Sequence, residues 1–180
     1  SYIAPESFID TNIKGTYNLC LASKKNQVKK FIHISTSEVY GSALYIPIDE
    51  NHPLDGQSPY SASKIAAEAT LESLADQNFK VLVLRMAGLH GWPRTNGVVH
   101  SMLAAAGLGN PISIHEPATR ISLTFIRDTA EIMVALWQMP WQQINTTYNL
   151  ASPDTPTLLQ LAQMIVSMSN STSELQCGVG

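Results

Sequence analysis

Phe31-Ile32-His33-Ile34-Ser35-Thr36-Ser37-Glu38-Val39-Tyr40-Gly41 runs from an apolar strand into a cluster of hydroxyls and a carboxylate, then into a turn. In an alternating α/β chain, sites form at that place, the carboxyl end of a parallel strand. Seventeen residues on, Ser58-Pro59-Tyr60-Ser61-Ala62-Ser63-Lys64 opens a helix. Pro59 suits a first helical turn, and Ser58 can cap the amides left free there. Residues four apart share a helix face, so Tyr60 and Lys64 project together. A cation beside a phenol favours the phenolate, typically moving a pKa by roughly 1–3. Alone, such a pair is ordinarily a solvated helix face. The hydroxyl and carboxylate cluster upstream makes it a candidate site.

Working outward, Pro5 to about Lys25 reads as one helix, with Ile9, Ile13, Tyr17, Leu19, Cys20 and Leu21 on its buried side. Gly15 inside it costs about 1 kcal/mol relative to Ala, which predicts close packing against a neighbour. Val28–Ser35 reads as a strand whose continuous apolar run suits a central, two-sided position. Residues 41–58 form a loop, the Tyr60 helix runs to about Gln77, and Lys80–Met86 is a second buried strand. A breaker-rich loop follows over residues 87–93. Val98–Leu108 is helical, Pro111–His115 and Leu123–Ile126 are short strands, and Asp128 caps a helix to about Gln138. Thr147–Leu150 is a strand and Pro156–Met168 an amphipathic helix; the tail from Ser169 reads as polar and loose. Helices and strands alternating at this spacing predict an α/β fold with a doubly wound parallel sheet.

The bulk properties narrow the function. At 180 residues, 44% hydrophobic and 14% charged, the chain has the composition of a soluble globular protein. A net charge of −3 offers nothing to nucleic acid or a membrane surface. Cys20 and Cys177 are far apart, as reduced thiols of a cytoplasmic protein would be. His33, His52, His90, His100 and His115 lack metal-ligand spacing, so no metal is expected. His90 and Trp92, on a loop after a strand, are minor candidates for substrate contact. Trp137 and Trp141 read as packing.

Taken together, the S-T-S-E-V-Y-G, P-I-D-E and S-P-Y-S-A-S-K runs resemble the extended short-chain dehydrogenase/reductase family, and within it bacterial nucleotide-sugar 4,6-dehydratases of the UDP-N-acetylhexosamine type. The resemblance implies a Rossmann sheet with NAD as cofactor. Its glycine-rich pyrophosphate loop is absent: Gly107-Leu108-Gly109 precedes Asn-Pro rather than a helix. The expectation is therefore an incomplete Rossmann sheet, a protein cut short at its amino-terminal side. Residues 1–93 would form the carboxyl-terminal half of the dinucleotide domain, and 94–180 part of a small substrate domain with some elements packing back on the sheet.

The resemblance also assigns roles. Thr36, Tyr60 and Lys64 fall on the catalytic positions, with Glu38 as the carboxylate a dehydratase needs to remove the C5 proton. Asn12, in D-T-N-I-K-G-T, and Ala87, in R-M-A, fall beside the cofactor together with Thr36, Tyr60 and Lys64. Ser37 and Arg120 fall on the substrate, Ser37 where dTDP-glucose enzymes carry an Asp and Arg120 where an arginine grips nucleotide phosphates. Gly88 stands where sugar-nucleotide enzymes usually have an Asn, a departure that leaves the sugar open. Glu38 as a loop cap and Arg120 as a surface residue are the plain alternatives. The NAD-versus-NADP selector lies outside these residues. A nucleotide-sugar substrate and a homodimer of the full-length protein are implied. A 4-epimerase, which needs no carboxylate at residue 38, is the rival chemistry, and an inactive fragment or binding scaffold the rival class.

Overall fold

The computed structural model describes residues 3–143 and 146–178 and divides them into two compact units. The first comprises residues 1–86 and 133–150, the second residues 87–132 and 151–180. The division falls after Met86 rather than at residue 93, and the chain returns to the first unit to add a strand.

In the first unit, the opening helical stretch has three parts: α1 (Pro5–Phe8), a π-helical segment over Ile9–Gly15, and α2 (Thr16–Lys25). The single helix read from the sequence is thus widened in its middle, and Asn12 lies within the wide part. Gly15 closes that part; a Cβ there would meet only the Asp10 carbonyl, at an ordinary 3.5 Å, so no close-packed neighbour explains it. Lys24 and Lys25 end α2, where cations complement the helix dipole. β1 (Lys30–Thr36) leads into a tight 3₁₀ turn over Ser37–Tyr40. α3 (Pro59–Leu74) starts with a reciprocal cap: Ser61 N–H donates to Ser58 Oγ at 3.1 Å, and Ser58 N–H to Ser61 Oγ at 3.0 Å.

β1, β2 (Lys80–Met86) and β6 (Thr147–Leu150) form one parallel sheet in the order β1–β2–β6. Ser35, Arg85 and Asn149 lie in register across it. β2 takes the central place, buried from Val81 to Met86, whereas β1 is the edge strand and Phe31, Ile32 and Ile34 are only half-buried. The Phe31–Ile34 run suits a central position, and among the described residues its outer side is unpaired, as an incomplete sheet predicts. Cys20, Leu71, Phe79, Val81 and Val83 form the core between helices and sheet. Lys30 Nζ sits 5.6 and 5.4 Å from the ring centroids of Trp137 and Trp141 and donates to the Trp137 carbonyl; Trp141 is buried and packs as expected, whereas Trp137 is 49% exposed.

The second unit contains two parallel pairs: β3 (Gly88–His90) with β5 (Leu123–Phe125), and β4 (Ile112–Ile114) with β7 (Leu175–Cys177). Neither β3 nor β7 was legible as a strand. The first is three residues among glycines; the second lies in a polar tail, where Leu175 packs on the core. That core joins Met102 and Ala106 of α4 (Val98–Leu108) to Leu161, Ala162 and Ile165 of α6 (Leu158–Met168). Gly109 ends α4 in the left-handed region (φ 67°). Thr157 and Gln160 cap α6 reciprocally. α5 (Ile126–Gln138) begins two residues before Asp128, so Asp128 lies in its first turn instead of capping it.

Candidate active site

Thr36, the last residue of β1, is buried, and its Oγ1 accepts the Glu38 N–H at 3.3 Å, which starts the 3₁₀ turn. The turn presents Ser37 and Glu38 on the surface while Val39 and Tyr40 anchor it from below. Across from it, the first turn of α3 supplies Tyr60. Its ring meets Phe8 of α1 edge-on, with centroids 5.8 Å apart. The Thr36 hydroxyl lies near enough to the Tyr60 phenol to favour phenolate, and the Glu38 carboxylate near enough to oppose it. Threonine, phenol and carboxylate thus converge at the end of one parallel strand.

The direction of the phenol's shift differs from the sequence expectation. Burial, the largest influence, and the Glu38 charge push Tyr60 above its ordinary value, against the nearby Thr36 hydroxyl. The Lys64 Nζ donates to the Ile34 carbonyl at 2.8 Å rather than to the phenol. Burial lowers Lys64 itself, and Glu68, one turn further along α3, partly restores it. Asn12 Nδ2 donates to Ser63 Oγ at 2.9 Å, and Ser63 Oγ donates to the Tyr60 carbonyl at 2.7 Å. Asn12 therefore ties the π-helical segment to the start of α3.

Two further candidates belong to the second unit. Ala87, buried, follows β2 directly in the chain. Arg120 Nη1 donates to the Thr155 carbonyl at 2.7 Å. In the same unit, a cavity of about 400 Å³ is lined by His90, Trp92, Arg94, His100 and Phe125 among others. Trp92 is 84% exposed, and His90 packs on Phe125. Among the described residues, no group of three or more His, Cys, Asp and Glu side chains could hold a metal, and no helix is long and apolar enough to cross a membrane.

Beneath the candidate site lies a buried polar network that sequence reasoning missed. Ser35 Oγ donates to Glu68 Oε1; Arg85 Nη2 and Nε donate to Glu68 Oε2 at 2.8 and 3.1 Å. Arg85 Nη1 donates to the Tyr40 hydroxyl at 2.9 Å, and that hydroxyl donates to Asn149 Oδ1 at 2.6 Å. The signal was present: an arginine in an apolar strand and a glutamate on the apolar side of a helix, charges that are seldom buried unless paired.

A model of the family described as "NAD dependent epimerase/dehydratase family" matches residues 1–151. The chain belongs to that family. Relatives within it carry both chemistries. The dTDP-D-glucose 4,6-dehydratase of Bos taurus is 28% identical over 183 residues, 98% of this chain and 51% of its own length. The UDP-glucose 4-epimerase of Bacillus subtilis is 37% identical over 87 residues, 47% of this chain and 26% of its own length. Among solved family folds, an NAD-dependent nucleotide-hexosamine 5,6-dehydratase of tunicamycin biosynthesis superposes with a TM-score of 0.87 at 24% identity, over 98% of this chain and 58% of that one. The UDP-glucose 4-epimerase of Thermotoga maritima does so with 0.86 at 26%, over 96% and 58%. The chain spans about half the length of the full-length dehydratases it matches end to end. Its parallel α/β architecture is the Rossmann-like one of these structures, in part.

The donor set suits the nicotinamide-ribose end of NAD. Tyr60 offers a phenol, Thr36 a hydroxyl, and Lys64 an ammonium with three N–H donors, one of them on Ile34. The glycine-rich turn for a pyrophosphate is not present in this sequence.

Proposed function

We propose that this chain carries the catalytic segment of a nucleotide-sugar 4,6-dehydratase. The observation that supports this most directly is the meeting of Thr36, Tyr60 and Glu38 at the end of β1. NAD, held at its ribose by Tyr60 and Lys64, would accept a hydride from C4 of the sugar. Tyr60 takes the proton of the C4 hydroxyl, and Thr36 holds that oxygen toward the phenol. Lys64, whose ammonium donates to the Ile34 carbonyl, would favour the Tyr60 phenolate when it faces the reacting groups. Glu38, on the exposed face of the turn, would take the C5 proton of the 4-keto sugar and give it to the C6 hydroxyl, which leaves as water. Return of the hydride to C6 and of a proton to C5 would then give the 4-keto-6-deoxy sugar with the cofactor reoxidised. Asn12 holds the start of α3, and Ala87 and Arg120 are assigned to cofactor and substrate by the family pattern. Ser37, where dTDP-glucose enzymes carry an acid, would contact the sugar.

The epimerase relatives support a second reading, in which Glu38 is idle and hydride returns to the other face of C4. Glu38→Gln in the intact gene product separates the two, with dTDP-glucose and UDP-N-acetylglucosamine as trial substrates. A dehydratase loses roughly 10²–10⁴ in the rate of 4-keto-6-deoxy product formation, the usual worth of a positioned base. An unchanged rate removes the dehydratase reading.

A further inference from the structure

The network beneath the site touches every element that carries a catalytic candidate. Ser35 adjoins Thr36 on β1. Glu68 lies on α3, one turn beyond Lys64 and two beyond Tyr60. Tyr40 ends the turn that presents Glu38, and Asn149 belongs to β6. Arg85 is the hub, in register with Ser35 on one side and Asn149 on the other. Both charged side chains are 8% exposed. The guanidinium spends its donors in three directions: on Glu68 (Nε and Nη2), on the Tyr40 hydroxyl at 2.9 Å, and on the Glu50 carbonyl at 3.2 Å. Asn149 closes the far side, its N–H donating to Glu50 Oε1 at 2.6 Å and its Nδ2 to the Ile48 carbonyl at 3.2 Å.

We infer that Ser35, Glu68 and Arg85 are positioning residues that fix the separation of the Thr36 hydroxyl and the Tyr60 phenol. Taking the Tyr60–Thr36 pair as the catalytic one rests on the function proposed above; the geometric claim does not. The reason is mechanical. Thr36 and Tyr60 come from different elements, and beside the Lys64 tie to the Ile34 carbonyl the side-chain ties that hold α3 against the sheet are Ser35 to Glu68 and Glu68 to Arg85. A planar fork that holds a carboxylate bidentately and a phenol at once fixes direction as well as distance, which an ammonium in its place cannot do.

The test reads the phenol. With tyrosine labelled at Cζ with ¹³C, and Tyr60 assigned through Tyr60→Phe, the ionisation midpoint of Tyr60 is followed by NMR in Ser35→Ala and Arg85→Lys. Ser35→Ala removes one hydroxyl and serves where Arg85→Lys does not fold. The groups facing the phenol are Thr36 and Glu38, neither of them altered. With the brace loosened, the Thr36 hydroxyl draws away from the phenol and the midpoint rises by about one pH unit, the order of one hydrogen bond to a charged oxygen. Lys24→Met, which removes the tie from α2 to Leu74 and Asp76, is the structural control and leaves the midpoint in place. A wild-type midpoint in folded Ser35→Ala and Arg85→Lys overturns the inference, as does an equal rise in Lys24→Met. Full activity of Tyr60→Phe in the intact gene product would instead remove the catalytic reading and leave the brace standing.

Discussion

His33 should make the stability of this chain fall steeply in mild acid. The imidazole is 7% exposed on β1, its Nε2 has no hydrogen-bond partner, and Lys64 stands near it. Burial first, then the Lys64 charge, push its pKa from 6.5 down to about 4, with Glu68 opposing. Between those values the unfolded chain binds a proton that the folded chain refuses. Stability therefore rises with pH through that window and is lost as pH drops below 6.5, the loss being complete below about 4. The full gap is worth about 3.4 kcal/mol, of which about 2.5 kcal/mol falls between pH 7.5 and 4.5. The experiment compares urea unfolding of the chain and of His33→Gln at both pH values. The variant's own stability offset cancels, because only the change with pH is read. His33→Gln should lose about 2.5 kcal/mol less than the parent. Parallel losses, within about 0.5 kcal/mol, would mean that His33 is not held neutral.

Other outcomes follow from the same geometry. Leu71→Ala, at a fully buried core position, should cost about 2–5 kcal/mol in urea unfolding. Ser58→Ala removes one half of the cap on α3 and should cost about 1 kcal/mol. Gly41→Ala places a Cβ at φ 61° against the Asp55 carbonyl. It should destabilise by more than the roughly 1–2 kcal/mol of the left-handed backbone alone, as a lower melting temperature shows. Arg85→Met leaves Glu68 buried and unpaired and should cost about 3–5 kcal/mol, whereas pairing it with Glu68→Leu should recover much of that loss.

What the sequence revealed follows from which interactions are local. The cap of α3, the strand Lys80–Met86 and the helix Val98–Leu108 are written in residues a few positions apart, and each appears where its pattern says. So is the presence of Tyr60 and Lys64 in successive turns of one helix. The electrostatics of that pair were not legible, because they depend on where Lys64 Nζ finds an acceptor, and the acceptor is 30 residues away at Ile34. The edge place of β1 was legible only from the expectation of an incomplete sheet, and not from its own apolar run. An apolar run states that a strand will be covered, and only the pairing partners decide on how many sides. β7 escaped because Leu175 alone carries its burial, too little for a period to show.

The order of the sheet has a consequence for synthesis. β6, at residues 147–150, joins a strand that ends at Met86, with the second unit's first segment translated in between. A ribosome that has released Glu68 and Arg85 has already emitted both charges, yet Asn149, the acceptor for the Tyr40 hydroxyl, still lies some sixty residues upstream of the exit. Of the described strands, β1 and β2 therefore emerge well before β6, which can be laid beside β2 only once the intervening segment has left the tunnel.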